Sequence, residues 1–262
     1  MSIIYAPSFR LPHQKPPPGV KVNENNSLCK ELNAAFLFNE YGGAEYLDST
    51  RFDYHATRVG DADWASSERG RVATFDGATD YANAGTGCGY LLSNTYTMSV
   101  AVWFKTDETN PGNDGVVYFG TFSDKIGEYT IMLLGDEIRW IMHDGPFDES
   151  LAFSDLASWH HLVTTYDGVR AKLYLDGIEE IDVAYAVQLN FAAKLLILGG
   201  YYNTPYTLDG MISSVQIWGR SLSIHEVQQL YKDSYSMYQQ DDLVVGLPSA
   251  SEGVGEQVML IT

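Results

Sequence analysis

The chain has 262 residues, 45% of them apolar and 19% charged, enough to build a sizeable core and too apolar for a disordered chain. A balance of 16 Lys and Arg against 34 Asp and Glu leaves a net charge of −18. That field repels phosphate backbones and anionic bilayers, and no apolar run is long enough to span a membrane, so nucleic acid and membrane insertion are excluded as expectations.

In chain order, residues 1–30 read as an extended arm. Pro7, Pro12 and Pro16-Pro17-Pro18 remove backbone donors and favour polyproline geometry, and Asn23, Asn25, Asn26 and Ser27 follow. The start lacks a basic segment followed by an apolar run, so no signal peptide is expected and synthesis in a cytoplasm is. Cys29 and Cys88 do not make a disulfide framework; two reduced thiols are the simpler expectation, with pairing left open.

From Leu32 to about Tyr235 the period-2 alternation of strands dominates. In YTMSVAVWFKT, Met98, Val100, Val102 and Phe104 share one face while Ala101 and Trp103 make the other apolar too, which predicts a strand buried on both sides. EYTIMLLGDEIRWIMHDG predicts two strands joined at Gly135-Asp136. Val169, Ala171, Leu173 and Leu175 alternate with Arg170, Lys172 and Tyr174, a half-exposed strand; KLLILGG and GMISSVQIWGR predict two more. In LSIHEVQQLY, Ser223 and Glu226 form a capping box and Leu222 with Val227 a hydrophobic staple, predicting a short helix on the edge of the sandwich. The stretch 236–262 reads as a tail whose last residues, Val258 to Thr262, could add a strand. Short strands, turn signals and one late helix predict an all-β, antiparallel two-sheet sandwich over residues 31–235.

Several stretches then carry a family likeness. AAFLFNEYGG, VATFDGATDYANAG, SVAVWFKTD, SWHHLVTTYDGVRAKLYLDGIEE and LDGMISSVQIWGRSLSIHEVQQLY occur in the order of a laminin-G-like, concanavalin-A-like domain, and the chain resembles that family over roughly residues 32–232. The resemblance implies a jelly-roll sandwich that binds glycans or proteins, often with a structural calcium ion. The entry segment, with Asn26, Leu28, Leu32 and Ala34 to Glu40 after a Pro-rich arm, also resembles laminin-G-like proteins of phage structural gene sets.

The candidate sites are then weighed. Hydrolases of this fold carry Glu-x-Asp-x-x-Glu on one strand, so that period 2 aims the first two carboxylates at one bond. Here Glu180 and Asp182 match, but Tyr185 takes the third place, and a charged strand edge is the expectation rather than catalysis. His160 and His161 are strand neighbours that point to opposite faces, so they do not share one metal or proton relay. For calcium, the resemblance implies an Asp in the Phe-Asp-Gly turn and an Asp on the late strand; Asp76 is present, but the late position is Ser213, so Asp76 alone stands as a candidate metal ligand. Loops holding Asp107, Glu108, Asn110, Asn113 and Asp114, or Asp144, Asp148 and Glu149, are alternative cation sites. For ligand binding, GGYYNTPYTLDG sets Tyr201, Tyr202, Asn203 and Tyr206 in a loop, where aromatic faces stack on sugars or on another protein.

The expected function is a non-enzymatic structural or adhesive module of a virion, a decoration, head or tail-fibre protein made in the host cytoplasm. Its arm and tail would tie it to other assembly proteins and to copies of itself, and its domain would face cell-surface glycans. A lectin-like domain without an assembly role is the alternative, and a glycoside hydrolase of the same fold the third.

Overall fold

The computed structural model describes residues 3–5, 14–93, 96–106, 108–109, 111–121, 129–142, 147–201, 206–238 and 244–246. It forms two compact units, one of Met1–Leu11 with Gln240–Thr262 and one of Pro12–Gln239. The chain runs β1 (Ile3–Tyr5), β2 (Leu32–Phe36), β3 (Glu45–Tyr46), β4 (Ala56–Val59), β5 (Asp63–Ser67), β6 (Gly70–Asp76) and β7 (Tyr81–Asn83). A one-turn helix α1 (Gly87–Leu91) precedes β8 (Met98–Thr106), β9 (Gly112–Gly120), β10 (Tyr129–Leu134), β11 (Glu137–Met142) and β12 (Phe147–Ala152). Then come β13 (His160–Tyr166), β14 (Arg170–Leu175), β15 (Ile178–Ala184), β16 (Leu195–Leu198), β17 (Asp209–Trp218), α2 (Ile224–Lys232) and β18 (Val244–Gly246).

The smaller unit holds an antiparallel pair, β1 against β18, with Ile4 opposite Val245. In the larger unit two antiparallel sheets make a jelly-roll-like sandwich. The first runs β12-β11-β10-β9-β16-β7-β4-β3; the second runs β15-β14-β13-β8-β17-β6-β5, with β2 beside β17. The tight turn expected at Gly135-Asp136 closes β10 onto β11, Leu134 lying opposite Glu137, with Gly135 at φ 57°. Cys29 and Cys88 are both free thiols. Among the described residues no helix is long and apolar enough to cross a membrane.

The core between the sheets takes Met98, Val100, Val102 and Phe104 from β8 and meets them with Phe119, Ile131 and Trp140 from the facing sheet. The same strand presents Ala101 and Trp103 outward, so a second layer is required. It is built from Ala101, Val163, Tyr174 and Trp218 on the sheet, covered by Val22, Leu28, Leu222, Val227, Leu230 and Tyr235. Each of these large side chains contributes on the order of 1.5–3 kcal/mol by leaving water. Residues 14–30, part of the segment expected as an arm, therefore supply core to the sandwich unit.

The helix is where capping predicted it, and both hydrogen bonds of the Ser223–Glu226 box are formed. Its place differs from the expectation: α2 lies over the outer face of the second sheet rather than at the sandwich edge, because the apolar outward side of β8 and β17 needs a cover. The alternation along β14 is likewise read too simply as half-exposed, since Tyr174 is only 2% exposed beneath this second layer.

Trp218 ties the layers together. Its ring is fully buried and its Nε1–H donates to the Leu28 carbonyl at 2.6 Å. Trp218→Phe keeps most of the ring but orphans a buried acceptor, and urea unfolding should show a loss of about 1–3 kcal/mol.

Candidate ligand-binding face

Period 2 divides the first sheet sharply. Ile138, Trp140 and Met142 on β11 and Tyr129, Ile131 and Leu133 on β10 enter the core, so Arg139, Ile141, Thr130 and Met132 point outward. Strand pairing aligns an outward row, Ile197–Tyr118–Thr130–Ile141–Asp148, with Met132, Arg139 and Ser150 in the next. Ile197, Tyr118, Thr130, Met132 and Ile141 are at most 2% exposed although they belong to neither apolar core. The outward face is thus sheltered.

At its rim, Tyr201 packs edge-on against Tyr118 at 5.4 Å and against Tyr206 at 5.8 Å. These rings come close because Gly115 and Gly200 bring two backbones together: a Cβ on Gly115 would lie 2.3 Å from Gly200 and 2.4 Å from Tyr201 Cβ. Beside them Arg139 Nε donates to Asp148 Oδ1 at 2.7 Å and Nη2 to Asp148 Oδ2, a bidentate, half-exposed pair. The Asp148 hydrogen bonds hold the Arg139 pKa above its ordinary value, burial opposes this weakly, and Tyr201 lies close enough to act on the guanidinium. The rim therefore joins two aromatic faces to a fixed donor–acceptor pair. Of the predicted ligand residues, Tyr201 and Tyr206 meet here, whereas Tyr202 and Asn203 lie outside the described residues. Arg139 escaped the sequence reading; its period-2 offset from buried Ile138 and Trp140 was the signal that could have found it. Asp148, expected as a cation ligand, is spent on Arg139.

Under the rim, Asp114 is 5% exposed and accepts from Gly112 N–H at 3.1 Å. Burial, then the neighbouring Glu108 carboxyl, push its pKa up to about 7.

The other candidates sit apart. Asp76 spends Oδ1 on the N–H groups of Ala78 (2.9 Å), Thr79 (2.9 Å) and Asp80 (3.1 Å), donors that outweigh burial and hold it below the usual carboxylate range. Asp209 stands opposite it in the β6–β17 register, but among the described residues no three acidic, His or Cys groups gather to hold a metal. Oδ1 of Asp76 is thus engaged in closing a turn, three N–H donors on one oxygen. Asp107, Asn110 and Asp144 lie outside the described residues.

His160 and His161 face opposite ways. His160 Nδ1 meets Asp176 Oδ2 at 2.7 Å with its ring edge-on to Phe153, while His161 stacks on Trp103 at 5.0 Å and on Tyr231. Burial works against the charged imidazole, but Asp176 and Asp155 outweigh it and raise the His160 pKa. On edge strand β15, Glu180 is exposed, and Asp182 pairs with Arg170 at 2.5 Å and Lys172 at 3.3 Å. Tyr185 packs against Tyr166 and Phe147.

Against known proteins, the family model of the concanavalin A-like lectin/glucanases superfamily matches residues 76–228, more than half of the chain. The chain belongs to that superfamily. No curated protein matches the sequence. Among solved structures, this superfamily member is similar to a Trypanosoma rangeli sialidase in complex with sialic acid, at TM-score 0.64 and 17% identity over 79% of this chain and 33% of that one. It is similar to domain 4 of an extracellular GH43 arabinanase from Geobacillus stearothermophilus in complex with arabinotriose, at TM-score 0.58 and 18% identity over 77% of this chain and 98% of the domain. The receptor binding domain of botulinum neurotoxin C/D mosaic serotype follows at TM-score 0.59 and 14% identity, over 77% of this chain and 51% of that one. This chain thus spans a third of the sialidase and about half of the toxin domain. At these identities the likeness is one of fold. The fold is shared by binding domains and by proteins named as enzymes.

A protonated Asp114 in the folded state has a simple consequence. Between pH ~4, where the unfolded chain loses this proton, and pH ~7, where the folded one does, stability falls as pH rises. Asp114→Asn keeps the acceptor for Gly112 and removes the titration. Chemical denaturation across pH 4–8 should show a flatter profile and a variant more stable than wild type at pH 8.

Proposed function

We propose that the protein is a non-enzymatic binding module that recognises a carbohydrate at the rim of its first sheet, with Tyr201 and Tyr206 as stacking faces and Arg139–Asp148 as the hydroxyl-reading pair. The observation that carries this reading is the convergence of tyrosines and a bidentate ion pair at one half-exposed place on a rigid sheet. A pyranose offers an apolar face and vicinal hydroxyls, and this rim offers the complement of both. Two of the similar solved structures hold a sugar, arabinotriose in one and sialic acid in the other, which supports a glycan as the ligand class. The absence of turnover is part of the proposal: Asp182 is held between two cations on an exposed edge, and an aromatic ring stands at 185, so the strand offers no acid/base partner to Glu180.

A role in a larger assembly, a virion for instance, is favoured by the β1–β18 pair. A two-stranded sheet by itself is marginal in water, and among the described residues neither outer edge of this pair has a further strand. Pairing with neighbouring chains satisfies both, and the phage-like entry segment points the same way.

On a glycan array, the wild type should give discrete hits, and Tyr201→Ala, Tyr206→Ala and Arg139→Ala should each weaken them about tenfold or more, with unchanged thermal midpoints. No hits, or hits indifferent to all three changes, would remove the rim from consideration. Release of product from the bound glycan would contradict the non-enzymatic part alone. For the assembly role, Val245→Pro removes a ladder donor from β18, and light scattering should report a lower mass than wild type. A wild type that is monomeric at all concentrations speaks against it.

A further inference from the structure

Where the chain enters the sandwich unit it borders a cleft of about 340 Å³. One wall is the stretch 29–33, which leads into β2; the other joins residues around 24 to the turn at 51–52. Both walls are fastened from behind. Arg220 Nε donates to Lys30 O at 2.8 Å and its Nη2 to Ser27 O at 3.3 Å, while Lys21 Nζ donates to Thr50 O at 3.0 Å. The bonds that shape the cleft thus ask nothing of a ligand, and the site is preorganised.

Asn33 lines this cleft and is only 7% exposed, and its side-chain amide makes no hydrogen bond among the described residues. It sits at the bulge where β2 slips against β17, between Ala34 opposite Ile217 and Leu32 opposite Trp218. A bulge re-aims a side chain, and a buried amide left without partners costs free energy that a bound partner returns. Around it the lining is apolar: Val22 and Leu32, each 5% exposed, and the ring of Phe52, which stacks on Tyr54 at 5.8 Å.

The more exposed lining carries two opposite charges. Arg51 Nη1 stands 3.5 Å from Glu24 Oε2, with side chains 68% and 55% exposed, and the guanidinium lies 4.9 Å over the Phe52 ring. At that distance the pair is loose, since charge-assisted hydrogen bonds close to about 2.7–2.9 Å, and each group keeps capacity for a tighter partner. Burial, then the Glu24 charge, push the Cys29 thiol up to about 11, so Cys29 is a neutral part of the wall and not a nucleophile.

We propose that this cleft binds a free α-amino acid whose side chain ends in a primary amide, with L-glutamine as its simplest form. Arg51 takes the carboxylate and Glu24 the ammonium, which exchanges one loose ion pair for two close ones. The methylenes lie against Val22, Leu32 and Phe52, and the terminal amide meets the Asn33 amide donor to acceptor. A site made to hydrogen-bond its ligand rejects an analogue that cannot answer, so the amide sets the specificity.

The test is isothermal titration calorimetry on the full chain. L-Glutamine should bind saturably, with a dissociation constant of about 1 mM or below. L-Norleucine, which lacks the amide, glutaramate, which lacks the ammonium, and 4-aminobutanamide, which lacks the carboxylate, should each bind about tenfold more weakly or worse. Asn33→Leu should abolish the preference for glutamine over norleucine. Arg51→Gln and Glu24→Gln should each weaken glutamine about tenfold with unchanged thermal midpoints, because both side chains are exposed. Tyr201→Ala, at the separate glycan rim, should bind glutamine as wild type does, so failure of either site leaves the other standing. The proposal is overturned if glutamine gives no saturable heat, if any of the three analogues matches it, or if both charge variants bind like wild type. Should Asn33→Leu fail to fold, the analogues and the two exposed variants decide alone.

Discussion

Strands β8 and β17 lie at the centre of the second sheet and are buried on both sides, with Ala101, Trp103 and Trp218 facing outward, so neither side is left to water. The inner side is satisfied by the facing sheet. The outer side needs a further layer, and the residues before β2 and after β17 exist in the fold to provide it. Trp218 and Ala101 are covered by Leu28, Leu222, Val227, Leu230 and Tyr235, so the two ends of the sandwich unit meet on one surface. Arg69 lies 3.4 Å above the Trp103 ring, and Trp103 stacks in turn on Tyr231, extending the cover with a cation on its open side.

That cover has to be fastened to the rest of the unit, and the groups it meets there are backbone carbonyls. The entering segment answers with donors. Lys15 serves three carbonyls, and Lys21 reaches Asp48 O at 3.1 Å and Thr50 O at 3.0 Å. Asn26 caps the turn at Leu28 through its Oδ1 and holds Ser236 O through its Nδ2. A chain stretch poor in apolar residues is thus held through side-chain hydrogen bonds to backbone carbonyls.

Much of this was legible from local pattern. The two-sided apolar run of β8, the Gly135-Asp136 turn and the Ser223–Glu226 box each express a rule that acts within ten residues, and each element stands where its pattern put it. The location of α2 was not legible, because a helix's apolar stripe says that it must be covered but not by which surface. The sheltered outward row of the first sheet was hidden for the same reason: nothing in the local pattern says that Thr130 is covered until register aligns it with Tyr118 and Ile141. Asp76 shows what a turn draws from a carboxylate: the residue that the family likeness marks as a ligand accepts three amides on one oxygen. Lys15 gave no signal, since its partners lie 22 to 198 residues away. Of the binding rim, the tyrosines were visible by composition, but Arg139 and Asp148 gained meaning only once β11 and β12 paired.

Main-chain hydrogen bonds hold the two flanks of the tyrosine segment. Gly115 N–H donates to Tyr206 O at 3.4 Å, Leu208 N–H to Gly199 O at 3.1 Å, and Thr207 bridges both Gly115 and Gly200. These bonds are made by backbone atoms, while the glycines beside them are fixed by sterics. Selection can therefore change the rings displayed at 201 and 206 while this backbone frame stays, as antibody frameworks allow in their hypervariable loops. Across relatives, constancy at Gly115, Gly199 and Gly200 beside free drift at 201–206 would be the mark of a scaffold that changes its target faster than its shape.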